Sequence, residues 1–136
     1  MYNKFYNYIL IWIVVVITGL SVSIFFIPDE YSGKRNLFWL IIFLVSNILS
    51  IYFNHNSHTE LVVYSKKNFP KFYYKYLFST FWNTERWPFL FIKKRKEFDD
   101  NRFLELKNYY NTVRLFQLFQ GLILITILFI IWSNKV

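Results

Sequence analysis

The stretch YILIWIVVVITGLSVSIFFI, residues 8–27, contains no charged side chain and stops at Pro28. About twenty consecutive apolar residues wound into a helix reach across a ~30 Å hydrocarbon core. The stretch therefore predicts a membrane span. A secretory signal peptide is the competing reading, with Lys4 as its basic start and Ser21-Val22-Ser23 as its small-residue cleavage site. The apolar run continues past that site through Ile24-Phe25-Phe26-Ile27, which favours a span.

Two further uncharged runs follow. Residues 37–53 lie between Asn36 and Asn54, and residues 115–132 between Arg114 and Lys135, which places the third span at about 113–132. Trp12, Trp39 and Trp132 stand near span ends, where an indole with one polar edge suits the headgroup layer. The expected fold class is an all-α membrane protein of one domain, residues 1–136. It has three transmembrane helices, with a helical, partly interfacial segment at 54–112 between the second and third.

Composition agrees. Of the 136 residues 55% are hydrophobic and 24% aromatic, more apolar surface than a soluble domain of this size covers with its own core. Three glycines and three prolines leave no flexible linker, and no repeat is visible. With no cysteine, disulfides, thiol catalysis and thiolate metal sites are excluded.

The 16 Lys and Arg set the orientation, because basic residues in short loops are retained in the cytoplasm. Lys34, Arg35 and Lys135 fall on one side, and all the others, from Lys4 and from residues 66–114, fall on the opposite side. The N-terminus and the basic segment are thus expected in the cytoplasm of a bacterium, with the 28–36 turn and the C-terminus outside the inner membrane.

Within the basic segment, residues 71–82 place Tyr74, Phe78, Phe81 and Trp82 on one helical face with Lys71 and Lys75 at its edge, the pattern of a helix lying in the membrane interface. Phe89-Leu90-Phe91-Ile92 runs into Lys93-Lys94-Arg95-Lys96, a dipped patch with a basic anchor. The aromatic residues of the segment have no evident core to join. Asp99, Asp100 and Asn101 then supply a cap for one long helix, about 101–132, whose first turns are wet and whose last turns lie in lipid.

The polar residues inside the spans are the first candidate site, because hydrocarbon offers them no partner and a neighbouring helix does. They are Gly19 and Ser23, a small-xxx-small pair, then Ser46, Asn47 and Ser50, then Gln117, Gln120 and Gly121, with an Asn-to-Gln contact expected between helices. The bland reading, that they only hold the spans together, is favoured over a polar pathway because no charge lies within a span. The second candidate is a surface for anionic lipid headgroups or a partner protein, made of Lys71, Lys75, Trp82, Trp87, Lys93, Lys94, Arg95 and Lys96. Single-stranded nucleic acid could stack on such residues, but tethering between two spans favours lipid, and no nucleic-acid partner is expected.

His55, His58 and Glu60 have spacing that could hold a metal, yet two histidines among Asn54, Asn56 and Ser57 more often form a solvated helix end. Asp99 and Asp100 diverge as sequence neighbours and suit capping better than acid–base work. There is no nucleophile elbow, phosphate-binding glycine loop or HExxH motif. The expectation is a protein without catalytic site, metal or cofactor.

Asn68-Phe69-Pro70-Lys71-Phe72-Tyr73, the aromatic and basic stretch 87–98, and Asp100-Asn101-Arg102-Phe103-Leu104 leading through Arg114 into the last span occur in an order that resembles the universal stress protein B family of small membrane proteins. The resemblance covers roughly the second half of the chain, and the hairpin of the first two spans is not part of that pattern. It implies a membrane stress role and no residue-level chemistry. The architecture alone is similar to three-span immunity proteins against pore-forming bacteriocins. The leading expectation is a non-enzymatic inner-membrane protein acting by contact, as accessory subunit of a complex, as a homo-oligomer or in envelope stress. The alternatives are immunity against a pore-forming toxin and, last, a pore or holin-like protein.

Overall fold

The computed structural model describes residues 2–25, 32–77 and 96–133. Every described element is helical: α1 (Tyr2–Phe25), α2 (Ser32–Asn68), one turn of α3 (Pro70–Phe72) running into a π-helical turn (Tyr73–Leu77), a 3-10 turn (Lys96–Asp99), and α4 (Asn101–Ser133). Three of them, α1, α2 and α4, are long and apolar enough to cross a membrane. At 1.5 Å per residue the 37 residues of α2 extend about 55 Å and the 33 of α4 about 50 Å. The uncharged run 37–53 is therefore less than half of its helix. The chain divides into two compact units, Met1–Ile51 with Gln117–Val136, and Tyr52–Phe116.

In the first unit α1 buries Phe5, Tyr8, Trp12, Val16, Gly19 and Ser23, spaced three or four apart and so on one face. Its Leu10, Ile11, Val14 and Ile17 are exposed. From α2 come the buried Trp39, Ser46 and Ser50, and from α4 Gln120, Leu124 and Ile127. Gly19, Ser23, Ser46, Ser50 and Gln120 point inward among aromatic rings and Val16, Leu124 and Ile127, while many of the unit's other Leu, Ile and Val side chains point outward. That arrangement suits helices packing where the solvent is itself apolar and burial of Leu or Ile gains nothing.

Trp12 and Trp39 correct one expectation. They are 6% and 1% exposed, packed inside the unit and not at its surface, because each indole N–H finds a serine hydroxyl on a neighbouring helix. The side chain of Trp132 lies outside the described residues.

In the second unit Leu61, Phe72, Leu77, Phe103, Leu106 and Tyr110 form a buried cluster. Phe103 sits edge-on to the rings of Phe69 and Phe72, with centroids 5.4 and 5.1 Å away. The expectation that this segment has no core is thus corrected. The reason is that α2 continues to Asn68 and carries Leu61 with it, supplying the facing surface.

Local chemistry places the ends. Phe69 N–H closes onto the Ser65 carbonyl at 2.8 Å, and Pro70, which has no N–H to offer α2, starts α3 instead. Phe72 and Leu77, five positions apart, are buried. The chain here winds as a π turn, Tyr73–Leu77, and Tyr74, the one described residue of the face expected to meet the membrane interface, is exposed. Phe78, Phe81 and Trp82 lie outside the described residues. At the start of α4 the Asp100 carboxylate accepts the Phe103 N–H at 2.6 Å, and its carbonyl accepts Leu104 N–H at 2.9 Å. Asp100 is the N-cap, and Asp99 ends the preceding 3-10 turn.

Candidate functional site

The buried polar groups of the first unit form a chain of hydrogen bonds through all three long helices. Tyr8 donates to the Ser46 carbonyl at 3.3 Å and accepts from Gln120 Nε2 at 2.9 Å, and Gln120 Oε1 accepts from the Ser50 hydroxyl. Trp12 Nε1 donates to Ser46 Oγ at 3.0 Å, and Trp39 Nε1 to Ser23 Oγ at 3.0 Å. Both functional ends of the Gln120 amide are engaged, which is what a polar group in an apolar bundle requires.

The expected residues separate on inspection. Ser23, Ser46, Ser50 and Gln120 are buried and bonded between helices. Asn47 does not reach a glutamine; its Nδ2 donates to the Phe43 carbonyl of its own helix at 2.7 Å, because it stands one position round from the buried stripe. Gln117 is half-buried on α4. The two glycines also differ. A Cβ at Gly19 would lie 3.1 Å from the Phe38 ring and 3.3 Å from Trp39, so α1 and α2 approach closely there. At Gly121 nothing lies within 4 Å, so that glycine does not serve close packing.

In the second unit Tyr64 of α2 donates to both oxygens of Asp100, at 3.0 and 3.2 Å. The same carboxylate therefore caps α4 and ties it to α2. Desolvation first, and then the bond to the carboxylate, push the Tyr64 phenol above its ordinary value. A cleft of about 400 Å³ beside this bond is lined by Thr59, Glu60, Val63, Tyr64, Lys67, Arg102 and Leu106. Arg102 pairs with Glu105 at 2.7 Å, an exposed i, i+3 pair of small energetic weight. Arg114 folds back on its own helix, its guanidinium donating to the Tyr110 hydroxyl and lying 5.3 Å from that ring.

Of the expected lipid or partner contacts, Lys71 and Lys96 are exposed and Lys75 lies in the π turn. Trp82, Trp87, Lys93, Lys94 and Arg95 lie outside the described residues. His55 is exposed on α2, and the His58 ring packs 6.0 Å from that of Tyr110. Among the described residues no three His, Cys, Asp or Glu side chains gather as a metal site.

Sequence reasoning passed over Tyr8 and Tyr64 and assigned Trp12 and Trp39 to the headgroup layer. The available signal was the stripe Tyr8, Trp12, Val16, Gly19 and Ser23, which puts two hydrogen-bonding aromatics on the same face as the small residues. No protein-family model, curated protein or solved structure matches the chain.

Proposed function

We propose that the chain is a non-enzymatic protein of the bacterial inner membrane that works by contact, as an accessory subunit of a membrane complex or in envelope stress. The N-terminus and residues 54–112 face the cytoplasm and the C-terminus faces outward. The reading is carried by one observation. Tyr8, Ser46, Ser50 and Gln120 spend their polar atoms on one another, so the first unit is suited to anchoring. The outer faces of its helices are aliphatic and match lipid. What is left to contact partners or anionic headgroups is the basic, aromatic segment, with Lys66, Lys67, Lys71 and Lys96 exposed. The likeness to the universal stress protein B family supports the stress role.

Immunity against a pore-forming toxin, and a pore made of several copies, both require polar faces of the spans to point away from the bundle. Ser46, Ser50 and Gln120 point into it. These readings therefore rank below contact at the cytoplasmic surface.

Affinity purification from membranes in a mild detergent tests the proposal. A stoichiometric protein partner or a stable self-assembly is expected. A chain that purifies alone as a monomer contradicts it.

A further inference from the structure

The cleft of the second unit runs between α2, which lines it with Glu60, Val63 and Lys67, and α4, which lines it with Arg102 and Leu106. The two helices are antiparallel here, since Tyr64 meets Asp100 while His58 meets Tyr110. Arg102 therefore stands toward the Lys67 end and Leu106 toward the Glu60 end. Leu106 is buried, and Val63 is exposed. Among the described residues no carboxylate pairs with Lys67, Arg102 pairs with its exposed helix neighbour Glu105, and Glu60 accepts one bond from the Asn56 amide at 3.2 Å. Asp100 is committed to Tyr64 and to the Phe103 N–H. The cleft thus has a positive end and a negative end about 10 Å apart along α2, two helical turns, with an apolar middle.

We infer that this cleft holds one amphipathic helix of a partner protein. An acidic residue of that helix meets Lys67 and Arg102, a basic residue seven positions away meets Glu60, and an aliphatic residue between them meets Val63 and Leu106. The site rests on the contact reading proposed above and narrows its partner to a polypeptide. Lipid headgroups are out of reach. Lys67 stands about 20 Å along α2 beyond Asn54, the end of the second uncharged run. The headgroup layer takes up about 6 Å of that rise, and screened anionic lipid acts over about 8 Å more. A second copy does not match either. Two copies inserted alike share a twofold axis along the membrane normal, which sets α2 parallel to α2 and Lys67 against Lys67.

Selection of a displayed library of helical peptides, randomised along one face, on the full chain in phosphatidylcholine nanodiscs tests the inference. Recovered peptides are expected to carry an acidic and a basic residue seven positions apart with an aliphatic residue between, about tenfold over peptides with like charges there. Lys67→Gln with Arg102→Gln should weaken a recovered peptide roughly fivefold, and Glu60→Gln roughly threefold, the scale of exposed ion pairs. Circular dichroism of each variant, matched to the parent, establishes that a loss is local. Recovery of uniformly acidic peptides, which the net charge of +8 attracts by itself, overturns the site. So do an empty selection and binding indifferent to either variant. Phosphatidylglycerol retained in native mass spectrometry through Lys67 and Arg102, or a dimer that these variants dissolve, overturns it in favour of a headgroup or a second copy. A protein partner that co-purifies equally with parent and variants overturns this site and leaves the contact reading standing, whereas a chain that purifies alone as a monomer contradicts that reading, and the peptide selection then decides the cleft by itself.

Discussion

Gln120 of α4 donates from Nε2 to the Tyr8 hydroxyl of α1 at 2.9 Å, joining residues 112 positions apart. The other end of the same amide accepts from Ser50 of α2, so one side chain touches both other helices of the unit. Gln120→Leu keeps the volume and leaves the Tyr8 and Ser50 hydroxyls to find other partners. The expected loss is about 1 to 2 kcal/mol, the scale of interhelical hydrogen bonds in apolar surroundings. Thermal unfolding in mild detergent measures it, and an unchanged midpoint would show that the amide is not what holds α4 to the bundle.

The two span glycines should respond in opposite ways. Gly121→Ala meets open space and gains helix propensity, so it should be neutral or stabilising by up to about 1 kcal/mol. Gly19→Leu must displace the Phe38 and Trp39 rings and should destabilise by about 1 to 3 kcal/mol, the range for overpacking. Parallel unfolding of the two variants checks the contrast. Equal effects would mean that α1 and α2 do not approach closely at Gly19.

Three of the long helices were legible because absence of charge over some twenty residues is a strong signal by itself. The true length of α2 was not. Beyond Phe53 its apolar positions Leu61 and Val62 are diluted by Asn, His and Ser, and hydropathy cannot distinguish a wet helix end from a loop. Asp100 as a cap was readable from its position before an uninterrupted helical stretch. Trp12 and Trp39 were misplaced because the interface preference of tryptophan describes an indole without a partner. Ser46 and Ser23 supply one at the facing positions, which only the three-dimensional pairing reveals. Asn47 failed for the complementary reason: polarity identifies a residue that needs a partner, and the helix's own Phe43 carbonyl satisfied it.

Asp100 performs two tasks in the second unit, and substitutions can separate them. Asp100→Ala removes the cap of α4 and the acceptor of Tyr64, and should cost about 1 to 2 kcal/mol. Asp100→Asn keeps a capping oxygen and should lose less. Tyr64→Phe should destabilise Asp100 protein but leave Asp100→Ala protein nearly unaffected, since the bond is already gone. Additive losses in that cycle would mean that the two side chains are not coupled.

Desolvation of the Tyr64 phenol, and after it the bond to Asp100, predicts an alkaline dependence. The Tyr64 phenol is raised above its ordinary value of 10.0 in the folded chain, so the unfolded chain ionises first. Its contribution is fully present below pH 10 and falls as pH rises from there through the folded value. Unfolding midpoints followed upward from neutral pH should decline less steeply above that point in Tyr64→Phe than in the parent. Superimposable alkaline profiles would contradict the assignment.

The central claim is a chain that crosses the membrane three times with its basic segment in the cytoplasm, and a pair of reporter fusions tests it most directly. All the Lys and Arg other than Lys34, Arg35 and Lys135 lie on the side assigned to the cytoplasm. Alkaline phosphatase, active only outside the inner membrane, should be active when fused after Val136 and silent when fused at Lys94. A cytoplasmic fluorescent reporter should give the reverse. Phosphatase activity at Lys94 and silence after Val136 would invert the orientation. Activity at both positions would mean that α4 does not cross, and with it the three-span account would fall.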